Sequence, residues 1–306
     1  MKKQFIVLFS LLAITVSASA QKEYKLSKSS GQLNLNISGA IVEGYSGNEI
    51  IFSMPKSEKE EVDERAKGLR AISGSGFTDN TGLGIDVSTK GEEINVNAVN
   101  REIKGILTIK VPQNIKISFV NKSNVYQNEI ILKNLKNEIE VSTSYNKIKL
   151  ENNSGPMNIK TLYGSVDAIF NEAIKGPVSI VSVYGYVDVS LPANAKANVE
   201  MATNYGKLYA AEGLKIAIDK SEKTERSGFT TVSGSASGSN NGQGLTVVRS
   251  GSGQSLAGLT SINSDGSVFE YGNSSRNSEN IRGKINGGGA DLILKSNYKN
   301  VYLREK

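Results

Sequence analysis

Hydrophobic and polar residues follow one template five times in the second half of the chain. Apolar and polar positions alternate up to a Ser or Thr, a Tyr stands two residues later, and apolar residues return three and five positions beyond it. The alternation predicts a half-buried strand, and the change of parity after the Tyr predicts a bend into a second short strand. The five copies carry Tyr145, Tyr163, Tyr184, Tyr205 and Tyr298, and a weaker relative lies around Tyr126.

The copies are too short to fold alone. The first four tyrosines are 18, 21 and 21 residues apart, and a unit of that length buries its apolar face only by stacking on its neighbours. Alternation alone also allows an antiparallel meander, but like residues at like positions favour parallel coils in register. We therefore predict an all-β fold, a single-stranded parallel β-helix or β-solenoid with the usual right-handed crossover. The residue after the Tyr, usually Gly, is expected to form a corner with positive φ.

The N-terminal part of the chain is β-rich but less regular. Residues 21–112 are predicted to form a β region that continues into the solenoid repeats of residues 113–306. Its apolar runs predict strands at Leu33–Ile37, Glu49–Ser53 and Ile106–Val111, and the last of these ends at Pro112.

Two stretches depart from the strand pattern. Residues 57–69 predict one short helix, with Ser57 as its N-cap and Glu60 completing a capping box. The charges of this helix are interpreted as a solvated face. Residues 221–256 are rich in Ser and Gly, which predicts a flexible insertion within the solenoid or a poorly packed coil.

The first 20 residues have the three-part pattern of an export signal. Lys2 and Lys3 precede an apolar run that is too short to span a membrane, and small residues follow up to Ala20. Residues 1–20 are therefore predicted to be a signal peptide cleaved after Ala20, and no transmembrane segment is predicted in the mature chain. No Cys follows the cleavage site, which excludes lipoprotein anchoring. We expect a periplasmic or cell-envelope location and leave the cell surface open.

Composition removes several kinds of chemistry. The chain has no Cys and no His, which excludes thiolate nucleophiles, imidazole bases and Cys/His metal sites. Its formal net charge of +6 is spread along the sequence, so nucleic acid is not an expected partner. Acidic residues are scattered, without the paired carboxylates that glycoside hydrolysis needs. We predict no enzyme activity, no cofactor, and no catalytic, cofactor-binding or metal-binding residue.

Three features of the sequence are candidate binding sites. The repeated tyrosines would suit sugar rings, but they share the parity of the interior residues before them, which favours a structural stack against the corner glycines. Asp167 and Asp188 hold the same position in consecutive copies, but a Ca²⁺ site would need more ligands, so solvated aspartates are favoured. Gly287–Gly289 does not stand between a strand and a helix, so no phosphate loop is predicted.

Several segments together resemble a known bacterial family. They are the Thr-x-Tyr-Gly-x-Val units, the turn Asp79–Gly84, the strand end Lys110–Pro112 and the terminal Tyr298–Leu303. The chain is similar in these to a bacterial adhesin-like family, whose members are exported β-solenoid domains of unknown function that resemble autotransporter adhesins. The resemblance covers nearly all of the predicted mature chain and implies the solenoid fold. It supplies no catalytic or ligand-binding residue.

These observations lead to one functional expectation and two alternatives. The expected protein is an exported, non-enzymatic cell-envelope component with an adhesin-like binding or structural role, whose envelope, glycan or protein partner is unknown. The first alternative is a carbohydrate-active β-helix enzyme of the polysaccharide lyase or hydrolase kind. The second is a periplasmic module that senses the envelope with a membrane partner.

Overall fold

The computed structural model describes residues 21–55, 64–99, 105–219 and 279–306, together with the backbone of residues 260–262 and 268–270. The predicted signal peptide, the first half of the predicted helix and the predicted Ser/Gly-rich insertion all lie outside the described residues.

The described chain is built almost entirely from strands. The N-terminal part contains β1 (Gln21–Leu26), β2 (Ser30–Asn36), β3 (Ala40–Tyr45), β4 (Ile50–Pro55), β5 (Ile85–Lys90), β6 (Glu93–Ala98), β7 (Thr108–Pro112), β8 (Asn114–Asn121) and β9 (Ile130–Lys133). The first four copies of the repeat contain β10 (Ile139–Thr143), β11 (Ile148–Glu151), β12 (Met157–Thr161), β13 (Val166–Ile169), β14 (Val178–Ser182), β15 (Val187–Leu191), β16 (Ala197–Thr203) and β17 (Leu208–Ala210). The remainder contains β18 (Ile216–Ile218), β19 (Thr260–Ile262), β20 (Val268–Glu270), β21 (Glu279–Ile285), β22 (Ala290–Ser296) and β23 (Val301–Glu305).

Two large, mostly parallel sheets hold nearly all of these strands. Sheet A has ten strands in the order β1-β4-β7-β3-β9-β11-β13-β15-β23-β17. Sheet B has eleven in the order β18-β21-β16-β22-β14-β12-β10-β8-β2-β6-β5. Each coil contributes one strand to sheet B and the next to sheet A, so the predicted parallel solenoid is confirmed. Strands β19 and β20 pair with each other in a small antiparallel sheet.

The repeat copies stack with like residues in contact. Copies one to five are the strand pairs β10/β11, β12/β13, β14/β15, β16/β17 and β22/β23. Ile139 pairs with Met157, and the motif residue Thr143 pairs with Thr161. The in-register pairing excludes the antiparallel meander for these coils, because a meander would not place equivalent positions side by side.

The order of the copies in space differs from their order in the chain. Strand β22 lies between β14 and β16, and β23 lies between β15 and β17. Copy five therefore inserts between copies three and four, so that Leu292 pairs with Val178 on one side and Val199 on the other. The N-terminal end repeats this arrangement, because β2 lies between β6 and β8 while β3 lies between β7 and β9.

The C-terminal segment holds β16 from both sides. Strand β21 pairs antiparallel with one edge of β16, and β22 pairs parallel with the other. The turn between them has positive φ at Asn286, Gly287 and Gly288, which explains the glycine run there without any phosphate loop. Glu200 of β16 ties the three strands together, since it lies 2.7 Å from Lys295 Nζ and 3.3 Å from Arg282 Nε.

One hydrophobic core runs between the sheets. In each coil every second residue points inward, so Ile180, Val187 and Val189 are fully buried. Each such side chain contributes roughly 1.5–3 kcal/mol relative to an exposed position. The strands predicted around Leu33–Ile37, Glu49–Ser53 and Ile106–Val111 are confirmed in their central residues.

The predicted helix is wrong over its described end. Only Glu64–Ala66 is helical, as one turn of 3-10 helix without buried residues. Leu69, the last residue of the predicted helix, is 73% exposed. Because no apolar surface of the coils covers this segment, amphipathic spacing has nothing to pack against.

Candidate functional site

The five repeat tyrosines stack in one continuous row at the corner between sheet B and sheet A, here called the tyrosine ladder. Neighbouring ring centroids are 4.5, 4.7, 4.6 and 4.9 Å apart, with interplanar angles between 4° and 13°. The order along the ladder is Tyr145, Tyr163, Tyr184, Tyr298 and Tyr205, which follows the insertion of copy five. The predicted aromatic stack is therefore confirmed.

The ladder lies on the surface. Tyr163, Tyr184, Tyr298 and Tyr205 are 44%, 39%, 41% and 58% exposed. Their expected interior position is wrong, because the Ser or Thr two residues earlier is the last inward residue of the strand. The chain bends after that hydroxyl, and the alternation of a straight strand no longer determines where the next side chain points.

The buried hydroxyls beneath the ladder explain the Ser/Thr of the motif. Ser182 Oγ donates to Gly164 O at 2.7 Å and accepts from the Gly185 N–H at 2.8 Å. Ser296 makes the equivalent pair of hydrogen bonds with Gly185 O and Lys299 N–H. The hydroxyls of Ser182 and Ser296 thus each close their own corner and link it to the adjacent coil, whereas Thr143 Oγ1 of copy one is buried without a hydrogen-bond partner.

The corner glycines are required by close approach. Gly164, Gly185 and Gly206 do not have positive φ, so the expected left-handed conformation is wrong. A Cβ atom at these positions would stand 1.8, 1.9 and 2.1 Å from the carbonyl oxygen of the adjacent corner. The coils pack so tightly here that a side chain would displace one of them.

Asn146 replaces this glycine in copy one and is fully buried. Its Nδ2 donates to Ser38 O and Asn128 O, both at 2.6 Å, and its Oδ1 accepts from Asn121 Nδ2 at 2.9 Å. Asn146 therefore joins the repeats to the N-terminal coils.

We expect Asn146→Ala to lower the free energy of unfolding by about 2–4 kcal/mol, because buried polar groups lose their partners. Denaturant unfolding measures this. Asn36→Ala is the matched control, since Asn36 is exposed, has ordinary φ, and donates through Nδ2 to the Asn97 side chain at 3.1 Å. Equal losses in the two variants would contradict the assignment.

The weaker copy of the repeat predicted around Tyr126 does not extend the ladder. The register that pairs Thr143 with Asn121 places Ser123 at the position equivalent to Tyr145. Tyr126 instead lines an open groove of about 540 Å³, formed with the ends of β2, β6 and β8. The ladder therefore ends at Tyr145 on this side.

A second row of side chains lies four residues beyond each ladder tyrosine, on the outer face of sheet A. It contains Asp167 and Asp188, which are neighbours as predicted but are not simply solvated. Lys147 Nζ lies 3.0 Å from Asp167, and Arg304 binds Asp188 through Nε and Nη2, each at 2.8 Å. Among the described residues, no group of three or more acidic side chains is placed to hold a metal ion.

The same row ends in two more tyrosines. Tyr302 stacks on Tyr209 at 5.3 Å, and Tyr186 meets Tyr302 edge to face at 6.5 Å. The sequence template did not mark these three residues, because they occupy variable positions of the repeat. Only the register of the coils brings them together beside the ladder.

Crowding of the phenols changes their titration. Interaction with Tyr298 raises the pKa of Tyr184, while burial and Asp167 raise the pKa of Tyr186. Both phenols therefore hold their protons more tightly in the folded chain than in the unfolded chain. This contribution to stability is complete below the unfolded pKa of about 10 and is lost as pH rises through the folded values.

We accordingly expect the melting temperature to fall with rising pH above about 10. The melting temperature of Tyr184→Phe should fall less steeply with pH, because phenylalanine keeps the ring stack but cannot ionise. Thermal unfolding across alkaline pH measures the effect. Identical pH profiles for the two proteins would show that the ladder does not contribute.

The geometry defines a class of protein, a parallel β-solenoid with an ordered aromatic ridge on one corner. The chain belongs to the family described as Toastrack DUF4097, whose sequence pattern matches residues 46–240. No curated protein matches the chain. Among solved structures, it is similar to a putative cell adhesion protein from Clostridium sporogenes ATCC 15579, at 13% identity and a TM-score of 0.39. That match covers 94% of this chain and 100% of the other. Within the described ranges, no helix has the length and apolar character needed to cross a membrane.

Proposed function

We propose that this protein is an exported, non-enzymatic component of the cell envelope, and that it uses the tyrosine-bearing side of the solenoid as an adhesin-like binding surface. The observation that carries the proposal is the exposed tyrosine ladder. Monomeric proteins rarely leave large ordered aromatic surfaces in water unless those surfaces meet a partner.

The ladder has the physical properties of a prepared binding surface. Tyrosine offers a large apolar ring and a polar hydroxyl, which is why it is enriched at interfaces. Stacking already fixes these side chains in one arrangement, so a partner would not have to order them. Binding to such a surface loses less conformational entropy than binding to mobile side chains.

Export supports the envelope location in this proposal. The basic and apolar pattern of residues 1–20 is that of a signal peptide, and a chain without Cys needs no oxidising compartment to fold. We expect the mature chain to begin at Gln21. N-terminal sequencing of the protein from its native cells tests this, and protease treatment of intact cells separates the surface from the periplasm.

The binding test uses the full mature chain on immobilised envelope fractions, glycans and matrix proteins. A triple variant, Tyr184→Ser, Tyr298→Ser and Tyr205→Ser, should lose most of the binding. The matched control changes three exposed apolar residues away from the ladder, Leu69→Ser, Ile72→Ser and Ile106→Ser. No affinity for any of these materials, or equal losses in both triple variants, would contradict the proposed binding surface.

The non-enzymatic part of the proposal has its own test. Incubation of the chain with a panel of polysaccharides should release no oligosaccharides. Reproducible release that disappears in a heat-unfolded sample would instead favour the carbohydrate-active alternative.

A further inference from the structure

Each aromatic row has one of its two ends on copy four. Tyr205 is the last ring of the ladder and Tyr209 is the last ring of the second row, and both flank or belong to β17. Strand β17 is the final strand of sheet A. Tyr205 is 58% exposed, whereas the inner ladder residues Tyr163, Tyr184 and Tyr298 are 39–44% exposed.

Position within a stack decides which part of a ring a ligand can reach. The inner rings have a neighbour on each face at 4.5–4.9 Å, so only their edges and hydroxyls reach solvent. In the described part of the chain, Tyr205 and Tyr209 each stack on one neighbour only. Both neighbours, Tyr298 and Tyr302, belong to copy five, so the two open faces look the same way, along the solenoid axis.

The two open faces are separated by polar groups. Four residues of extended chain place them up to roughly 13 Å apart. Lys207 is exposed between them, and Glu279 accepts a hydrogen bond from the Leu208 N–H at 3.4 Å. Separate flat apolar faces with charged groups between them do not suit a continuous apolar protein surface. They suit a sugar chain, whose rings have flat C–H faces and hydroxyl edges.

We propose that Tyr205 and Tyr209 form a stacking site for a β-linked polysaccharide, which crosses the end of copy four with Lys207 and Glu279 hydrogen-bonding its hydroxyls. A β-linked chain whose bonds leave opposite sides of each ring equatorially, as in the probe used below, is extended and presents flat ring faces, whereas the α-linked glucose chain used as control coils. This inference rests on the proposed function and names its ligand class. In this inference sugar rings stack on Tyr205 and Tyr209, and they do not bind along the whole ladder.

The test is calorimetric titration of the full mature chain with a soluble β-linked N-acetylglucosamine hexasaccharide. An α-linked glucose oligomer of equal length serves as the control ligand. We expect binding of the β-linked probe only. Tyr205→Leu and Tyr209→Leu should each weaken it roughly threefold to tenfold. Tyr126→Leu is the matched control, since Tyr126 belongs to neither aromatic row, and its affinity should equal that of the unchanged chain. Tyr163→Leu tests the ladder edges, because both faces of Tyr163 are covered, and it should weaken binding less than Tyr205→Leu.

The outcomes separate this inference from the proposed function. No binding of the β-linked probe, in a chain that still binds envelope fractions through its tyrosines, overturns the inference alone. Equal weakening by Tyr163→Leu overturns it too, since the ligand would then lie along the ladder edges. Self-association that disappears in the Tyr205 and Tyr209 variants would identify a second copy as the occupant and also overturn it. A chain that binds neither the β-linked probe nor the envelope fractions would contradict both proposals.

Discussion

Leu294→Asp should unfold the C-terminal coils, with a loss of more than about 4 kcal/mol in the free energy of unfolding. Leu294 is fully buried in copy five and pairs with Ile180 on one side and Met201 on the other. Aspartate would leave a cavity and an uncompensated charge between two coils. Because copy five is inserted between copies three and four, damage to this last segment of the chain should also detach copy four.

The neighbouring residue provides the control for this variant. Ile293 lies on the same strand but points to the opposite, partly exposed face. Ile293→Asn places a side chain of the size of aspartate one residue away without adding a negative charge opposite Glu200, and it should lower the free energy of unfolding by less than half as much. Hydrogen exchange should show fast exchange in β16 and β17 for Leu294→Asp only. Protection of β16 and β17 in that variant would show that the insertion of copy five does not hold copy four.

The insertion also marks the limit of what the sequence could predict. Alternation and a repeated template predict parallel coils in register, since burial of one face and identity of stacked residues are local properties. The order of the coils is not local. All five copies carry the same signal, so nothing in copy five itself states that it pairs with both Val178 and Val199. The strand β2 was predicted, but its place between β6 and β8 was not, because the order of the coils is not a local property.

The candidate site shows a similar division. The template predicted that the tyrosines stack, because equivalent residues of parallel coils must be neighbours. The template wrongly placed the tyrosines in the interior because it extended the inward–outward alternation of a straight strand across the bend, where that alternation does not hold. Tyr209 and Tyr302 had no signal of their own, since they occupy a variable position of the template, and the contact of Tyr302 with Tyr186 depends on the insertion of copy five. The open faces at the end of the ladder depend on that insertion too.

The corner glycine provides the second large effect. Gly185→Val should lower the free energy of unfolding by about 3–5 kcal/mol, through overpacking and lost hydrogen bonds. Its Cβ would stand 1.9 Å from Gly164 O, and Gly185 also accepts the Ser296 hydroxyl at 2.8 Å. The matched control is Gly74→Val, at a glycine with ordinary φ and nothing within 4 Å of its added Cβ. Thermal or denaturant unfolding compares the two.

Copy five shows how a side chain at this corner is accommodated. Lys299 occupies the glycine position there, and the next hydrogen bond between coils, from Val187 N–H to Asn300 O, is 3.3 Å long. The equivalent bonds of the glycine corners, from Ile148 to Ser165 and from Val166 to Tyr186, are both 3.0 Å. In copy five the side chain is thus accompanied by a longer bond between coils, whereas Asn146 of copy one fits with the equivalent bond, from Ile130 N–H to Lys147 O, at 3.0 Å. Gly185→Ala should lower the free energy of unfolding less than Gly185→Val, because the smaller side chain needs less separation between the two coils. Equal stability of Gly185→Val and the unchanged chain would mean that the coils separate freely, and close packing would then not explain the glycine of the motif.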